Sequence, residues 1–123
     1  MVTKHNSNNR SLKKTIMIDL DGVLNQYNGE YDKNYIPPIN ENANNFIKEL
    51  ARKYEVKLFT TRNSILATKW LVDNKLDKYI KDVTKIKELA WIYIDDRTIK
   101  FDGSYNNLLK EIEKFKPWYA DEN

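Results

Sequence analysis

The chain has 123 residues and no cysteine, so its length fits one domain and its composition excludes disulfides and thiolate metal sites. No stretch approaches the roughly 20 apolar residues that cross a bilayer, and the amino terminus lacks an apolar signal core, so we expect a cytoplasmic protein with no membrane partner. The net charge is +3, but residues 1–14 hold four basic residues and no acidic one, so the domain that follows is close to neutral and offers no strongly basic face.

Residues 1–14 come first in chain order, and they are polar and aperiodic. Such a composition predicts a disordered basic tail in front of one domain that covers residues 15–123. A basic tail attracts nucleic acid weakly, so nucleic acid stays open as a partner. The single histidine, His5, lies in this tail, which argues against catalysis by a histidine base.

The first predicted strand, residues 16–20, ends in two carboxylates and a glycine. Side chains alternate along a strand, so Asp19 and Asp21 project to the same side. Two carboxylates held that close repel each other unless a cation or a shared proton intervenes. Gly22 lets the backbone turn away sharply and leaves both acids at an open rim. This segment predicts a divalent-metal site that contains a nucleophile or an acid/base.

The remaining predicted elements alternate between helices and strands. Residues 25–38, with several tyrosines and a Pro-Pro pair, are typical of a loop or short hairpin. The hydrophobic spacing then predicts a helix over 42–53, a strand over 54–60, a helix over 64–74, a short strand near 79–83, a strand over 91–94 and a closing helix over 107–116.

This alternation predicts an α/β fold, with a parallel sheet and helices on both of its faces. In such sheets, functional groups gather beyond the carboxyl ends of the strands. Three polar clusters follow the predicted strands: Asp19 with Asp21, then Thr60, Thr61 and Arg62, then Asp95 with Asp96.

The hexapeptide Asp19-Leu20-Asp21-Gly22-Val23-Leu24 resembles the first motif of the haloacid dehalogenase (HAD) superfamily. The commonest members of that superfamily are Mg²⁺-dependent phosphatases. Its second motif is a Thr or Ser that closes a strand, and Thr60 matches it, with Thr61 as a second candidate.

The later motifs of the superfamily are matched in the same order along the chain. The third motif is a lysine ahead of the last acidic pair, for which Lys87 is preferred over Lys85. The fourth motif is acidic and follows a strand, and Asp95-Asp96 matches it. Two-component receiver domains use similar residues in another order, with the acidic pair first and the lysine last, so the order here argues against them.

The resemblance implies a Rossmann-like HAD fold without a substantial cap domain. Residues 25–40 are too few for a helical cap, and one helix and one strand account for residues 63–83. A short flap beside an open site is therefore expected.

The resemblance also implies a division of roles among the site residues. Asp19 is the nucleophile that forms an aspartyl-phosphate, and Asp21 is the general acid and base. Thr60 and Lys87 stabilise the phosphoryl oxygens, and Thr61 and Arg62 bind the substrate. Mg²⁺ is bound by four acidic residues, of which Asp21 uses its backbone carbonyl: Asp19, Asp21, Asp95 and Asp96.

The expected function is that of a Mg²⁺-dependent phosphatase, a phosphoric monoester hydrolase that acts on a small phosphorylated substrate. A nucleotidase or nucleic-acid-end phosphatase is the alternative within enzymes, and a non-catalytic HAD-like binding or regulatory module is the alternative outside them. The sequence leaves the substrate and the oligomeric state open.

Overall fold

Four short strands form one parallel sheet in the computed structural model, which describes residues 13–120. The strands are β1 (Thr15–Asp19), β2 (Glu55–Phe59), β3 (Ile80–Thr84) and β4 (Ile92–Ile94), in the order β3-β2-β1-β4. The predicted α/β fold with a parallel sheet is confirmed. The sheet order places β1 between two neighbours, so the first motif lies at the centre of the sheet edge.

The described part of the chain contains three helices: α1 (Ala43–Lys53), α2 (Ser64–Asp73) and α3 (Tyr105–Lys114). The α2 helix begins where the Asn63 side chain accepts hydrogen bonds from the backbone N–H groups of Ile65 and Leu66, at 2.9 and 3.0 Å. Ser104 caps α3 in the same way. These caps satisfy N–H groups that have no partner within the helix. None of the described helices combines the length and apolar character needed to span a membrane.

Helices α1 and α2 cover the same face of the sheet. Ile47 of α1 and Leu71 of α2 belong to one buried cluster with Ile18 and Leu58. Helix α1 connects β1 to β2, and helix α2 connects β2 to β3. Each of these connections moves to the next strand in the same direction across the sheet. Because such crossovers are right-handed, both helices lie on the same side of the sheet.

The other face of the sheet is crossed by residues 85–91 instead of a helix. Glu88 from this segment donates its N–H to Met17 Sδ at 3.3 Å and forms an ion pair with Lys57 Nζ at 2.7 Å. Within residues 13–120, α3 buries no side chain. The expectation of helices on both faces therefore holds for one face only, because the return from β3 to β4 contains no helix.

Of the predicted tail, residues 1–14, the structure describes only Lys13 and Lys14, since residues 1–12 lie outside the described part. The Lys14 carbonyl accepts a hydrogen bond from Glu55 N–H at 2.9 Å, and its ammonium lies 3.6 Å from the centre of the Trp91 ring. The sheet hydrogen bonding therefore begins at the last residue of the predicted tail.

Candidate functional site

The carboxyl ends of β1, β2 and β4 meet around an open cavity of about 450 Å³. Parallel strands end at the same edge of a sheet, so residues far apart in sequence come together there. The cavity is lined by Asp19, Asp21, Tyr27, Tyr31, Phe59, Thr60, Thr61, Asp95, Asp96 and Arg97. Every predicted site residue except Arg62 and Lys87 is among them.

Three carboxylates form the acidic centre of this cavity. Asp19, Asp95 and Asp96 each present an oxygen atom, and these atoms lie within 4.8 Å of one another. Burial, a hydrogen bond with Asp96 and the charges of Asp95 and Asp96 raise the pKa of Asp19 to about 8. Burial is also the largest cause that raises the pKa of Asp95.

The pKa of Asp96 shifts in the opposite direction. Burial alone raises it, but hydrogen bonds from Tyr119, Asp19 and Asp95 outweigh burial and hold the pKa below its usual range. The ionised form is therefore favoured more at Asp96 than at Asp19 or Asp95. A bound cation would favour the ionised form of all three acids.

Asp21 faces a different partner from the other acids. Arg62 donates from Nε to Asp21 Oδ2 at 2.7 Å and from Nη2 to Asp21 Oδ1 at 3.1 Å. The third guanidinium nitrogen, Nη1, donates to the carbonyl of Asp32 at 2.9 Å. Arg62 is 1% exposed and does not line the cavity. In this structure it binds Asp21, whereas the sequence assigned it to substrate binding.

Asn25 completes the surroundings of Asp21, and sequence reasoning missed it. This buried side chain donates to Asp21 Oδ1 at 3.0 Å and accepts from the N–H groups of Gly22 and Tyr27 at 3.1 Å. It thus ties the acid to the turn that follows it. An asparagine three residues after the motif glycine was the signal available in the sequence.

Thr60 and Thr61 follow β2 and line the cavity beside the acids. Thr60 N–H donates to Thr84 O at 3.0 Å, which continues the pairing between β2 and β3. Thr60 Oγ1 accepts from Arg62 N–H at 3.2 Å. Because that bond uses an acceptor site, the hydroxyl proton of Thr60 remains free to donate into the cavity.

Lys87 does not line the cavity. Its ammonium lies 4.5 Å from the centre of the Tyr93 ring, on the sheet face that residues 85–91 cross, and Lys85 is exposed on the same segment. The role assigned to Lys87 stays a prediction. Among the described cavity-lining residues, Arg97 carries the positive charge, and the sequence analysis gave it no role.

Comparison with known proteins adds information about the fold alone. No family model and no curated protein matches the chain. Among solved structures, the chain is similar to a conserved protein from Bacteroides thetaiotaomicron, with a TM-score of 0.57 and 20% sequence identity. The match covers 85% of this chain and 93% of that one. This similarity supports the α/β architecture of the chain and assigns it no activity.

Proposed function

We propose that this protein is a capless, HAD-type, Mg²⁺-dependent phosphatase that acts through an aspartyl-phosphate on Asp19. The observation that carries the proposal is the shared cavity of Asp19, Asp21, Asp95 and Asp96, which lie at the ends of two neighbouring strands. A nucleophile, an acid/base and an acidic ligand set are the parts that this chemistry needs.

The donor set fits a hard divalent cation. Asp19, Asp95 and Asp96 offer carboxylate oxygens, which Mg²⁺ prefers over nitrogen or sulfur. The family resemblance implies that Asp21 would contribute its backbone carbonyl, and its side chain is held by Arg62. Bound Mg²⁺ would offset the repulsion between the Asp19 carboxylate and an anionic phosphate.

Two steps account for the reaction. In the first, an Asp19 oxygen attacks phosphorus, the bond from phosphorus to the leaving oxygen breaks, and Asp21 gives that oxygen a proton. In the second, Asp21 takes a proton from water, the water oxygen attacks phosphorus, and inorganic phosphate leaves with Asp19 regenerated. Both Asp21 oxygens accept hydrogen bonds from Arg62, which is the arrangement of the base form used in the second step.

The negative charge on the transferring phosphoryl group is stabilised by hydrogen-bond donors, and two such donors line the cavity. The Thr60 hydroxyl has a free proton, and the Arg97 guanidinium lines the same space. Donors already aimed at developing charge stabilise a transition state without reorganising. We assign these two groups to the phosphoryl oxygens, and Lys87 stays the candidate that the family resemblance suggests.

The mouth of the cavity gives one reason to test nucleotides as substrates. Tyr31 lines the cavity with half of its surface exposed, and its ring rests 4.6 Å from the Arg62 guanidinium carbon. An exposed ring with a rigid support is a platform on which a base can stack. A nucleotidase or nucleic-acid-end phosphatase is therefore the second candidate.

Hydrolysis of p-nitrophenyl phosphate tests the proposal. We expect activity with Mg²⁺, none with EDTA, and a loss of at least about 10³-fold in kcat for Asp19→Asn, because the amide cannot form the phosphoenzyme. Asp77→Asn, an identical change at an exposed aspartate outside the cavity, should keep full activity.

Substantial turnover by a verified Asp19→Asn preparation would contradict the covalent mechanism. If the wild-type protein is inactive on aryl phosphates, sugar phosphates and nucleotides alike, the non-catalytic module becomes the better hypothesis.

A further inference from the structure

Residues 117–120, called here the C-terminal strap, return from the end of α3 to the first motif. The indole Nε1 of Trp118 donates a hydrogen bond to the carbonyl of Gly22 at 2.6 Å. A turn in which Ala120 N–H donates to Pro117 O at 3.0 Å sets the direction of the strap. These contacts place Tyr119 directly beside the acidic centre.

The hydroxyl of Tyr119 interacts with both Arg97 and Asp96 at the cavity wall. Arg97 Nε donates to Tyr119 Oη at 3.4 Å. Asp96 Oδ2 and the Tyr119 ring lie close together beside Gly22, and hydrogen bonding with Tyr119 is among the causes that lower the pKa of Asp96. A guanidinium has donors only, so it occupies an acceptor site of the phenol oxygen. The phenol proton is therefore directed to the Asp96 carboxylate.

The ring of Tyr119 is held in place by packing. It meets Tyr27 edge to face, with the ring centres 5.5 Å apart, and it meets Trp118 in the same manner at 5.7 Å. Gly22, with φ of +83°, packs directly against Asp96 and the Tyr119 ring. A Cβ at this position would overlap Asp96 Oδ2 and lie 2.8 Å from Tyr119 Cε2. Glycine thus allows Tyr119 and Asp96 to close onto the backbone of the first motif.

We propose that Tyr119 is a positioning residue that fixes the orientation of Asp96 for divalent-cation binding. A carboxylate has about four acceptor sites, so Asp96 can accept the phenol proton and still turn an oxygen toward Asp19 and Asp95. Outer partners of metal-binding side chains set their orientation and change metal affinity by about 10- to 100-fold. The inference rests on the metal site of the proposed function, but it does not depend on the reaction.

Direct Mn²⁺ binding tests this role without using turnover. The full-length protein is titrated with Mn²⁺, and the free ion is measured by its electron paramagnetic resonance signal. Tyr119→Phe removes the hydroxyl and keeps the ring, and we expect it to raise the dissociation constant for Mn²⁺ about 10-fold. Tyr105→Phe makes the same change at an exposed tyrosine of α3 and should leave the constant unchanged.

A second variant keeps the test informative if Tyr119→Phe folds poorly. Trp118→Phe removes the hydrogen bond to Gly22 and leaves the hydroxyl of Tyr119 in the chain, and it should also weaken Mn²⁺ binding. Constants within twofold of wild type in both variants would overturn the inference.

The outcomes for the two proposals are separable. Tight Mn²⁺ binding by wild type together with the expected loss in Tyr119→Phe would support the role of Tyr119 even if no phosphate ester were hydrolysed. No Mn²⁺ binding by wild type would overturn both proposals.

Discussion

Arg62 has the largest fully buried side chain in the described part of the molecule, and Asp21 balances its charge in a two-point pair. A buried charge is tolerated only with such a partner, because moving an ion out of water costs several kcal/mol. The sequence shows a cation after Thr60 and Thr61, but it does not show which anion that cation meets. Local pattern therefore predicted that Arg62 belongs near the site and missed that it positions Asp21.

Replacement of Arg62 by methionine should be costly. Arg62→Met leaves Asp21 without its main partner, and we expect the free energy of unfolding to fall by about 3 kcal/mol, together with most of the activity. Urea denaturation measures the first effect. Arg52→Met is the matched control, because Arg52 and Glu49 form an exposed pair whose loss should cost less than about 1 kcal/mol. Equal losses in the two variants would contradict the structural role of Arg62.

At the scale of elements, the helices α1 and α3 look alike in sequence and differ in the structure. Each is predicted by an apolar stripe at helical spacing. Ile47 of α1 is fully buried, whereas Ile112 of α3 is 54% exposed. Periodicity identifies which residues share a face of a helix, but it does not show whether that face meets the sheet. For the same reason, the sequence could not predict that both packed helices lie on one side.

The two isoleucines allow one substitution to be compared on both helices. Ile47→Ala removes buried contacts and should lower the free energy of unfolding by about 3 kcal/mol, whereas Ile112→Ala should lower it by less than about 1 kcal/mol. Urea denaturation curves of the two variants provide the comparison. A loss for Ile112→Ala as large as that for Ile47→Ala would mean that α3 is covered in solution.

At the scale of the whole molecule, the site is assembled at one edge of the sheet. Asp19 ends β1, Thr60 follows β2 and Asp95 follows β4, and these strands are parallel neighbours, so the three residues line one cavity, while their roles stay predictions. Arg97 directly follows Asp96 and could have been found in the same way, whereas Tyr119 could not. The position of Tyr119 depends on how the chain returns to the site after α3, which no local pattern encodes.

The acidic centre should also make the stability of the metal-free protein depend on pH. The pKa of Asp19 rises from 3.8 to about 8 on folding, so the folded state retains a proton that the unfolded state loses. The contribution of Asp19 is therefore fully present below about pH 4 and is lost as the pH rises toward 8. We expect wild type in EDTA to lose stability over this range relative to Asp19→Asn, as measured by urea midpoints at several pH values.

Mg²⁺ provides the control for this pH dependence. A cation replaces the retained proton, so saturating Mg²⁺ should reduce the slope for wild type and leave the slope for Asp19→Asn nearly unchanged. Parallel pH curves for the two proteins in EDTA would contradict the retained proton on Asp19.

The contact between Trp118 and Gly22 joins residues 96 positions apart, and it has a consequence for synthesis. A ribosome makes the chain from its amino end, so Asp19 and Asp21 emerge long before the strap that closes over them. The acids of the first motif are therefore synthesised well before Tyr119, and the contact of the strap with the acidic centre forms only after the strap itself has been made.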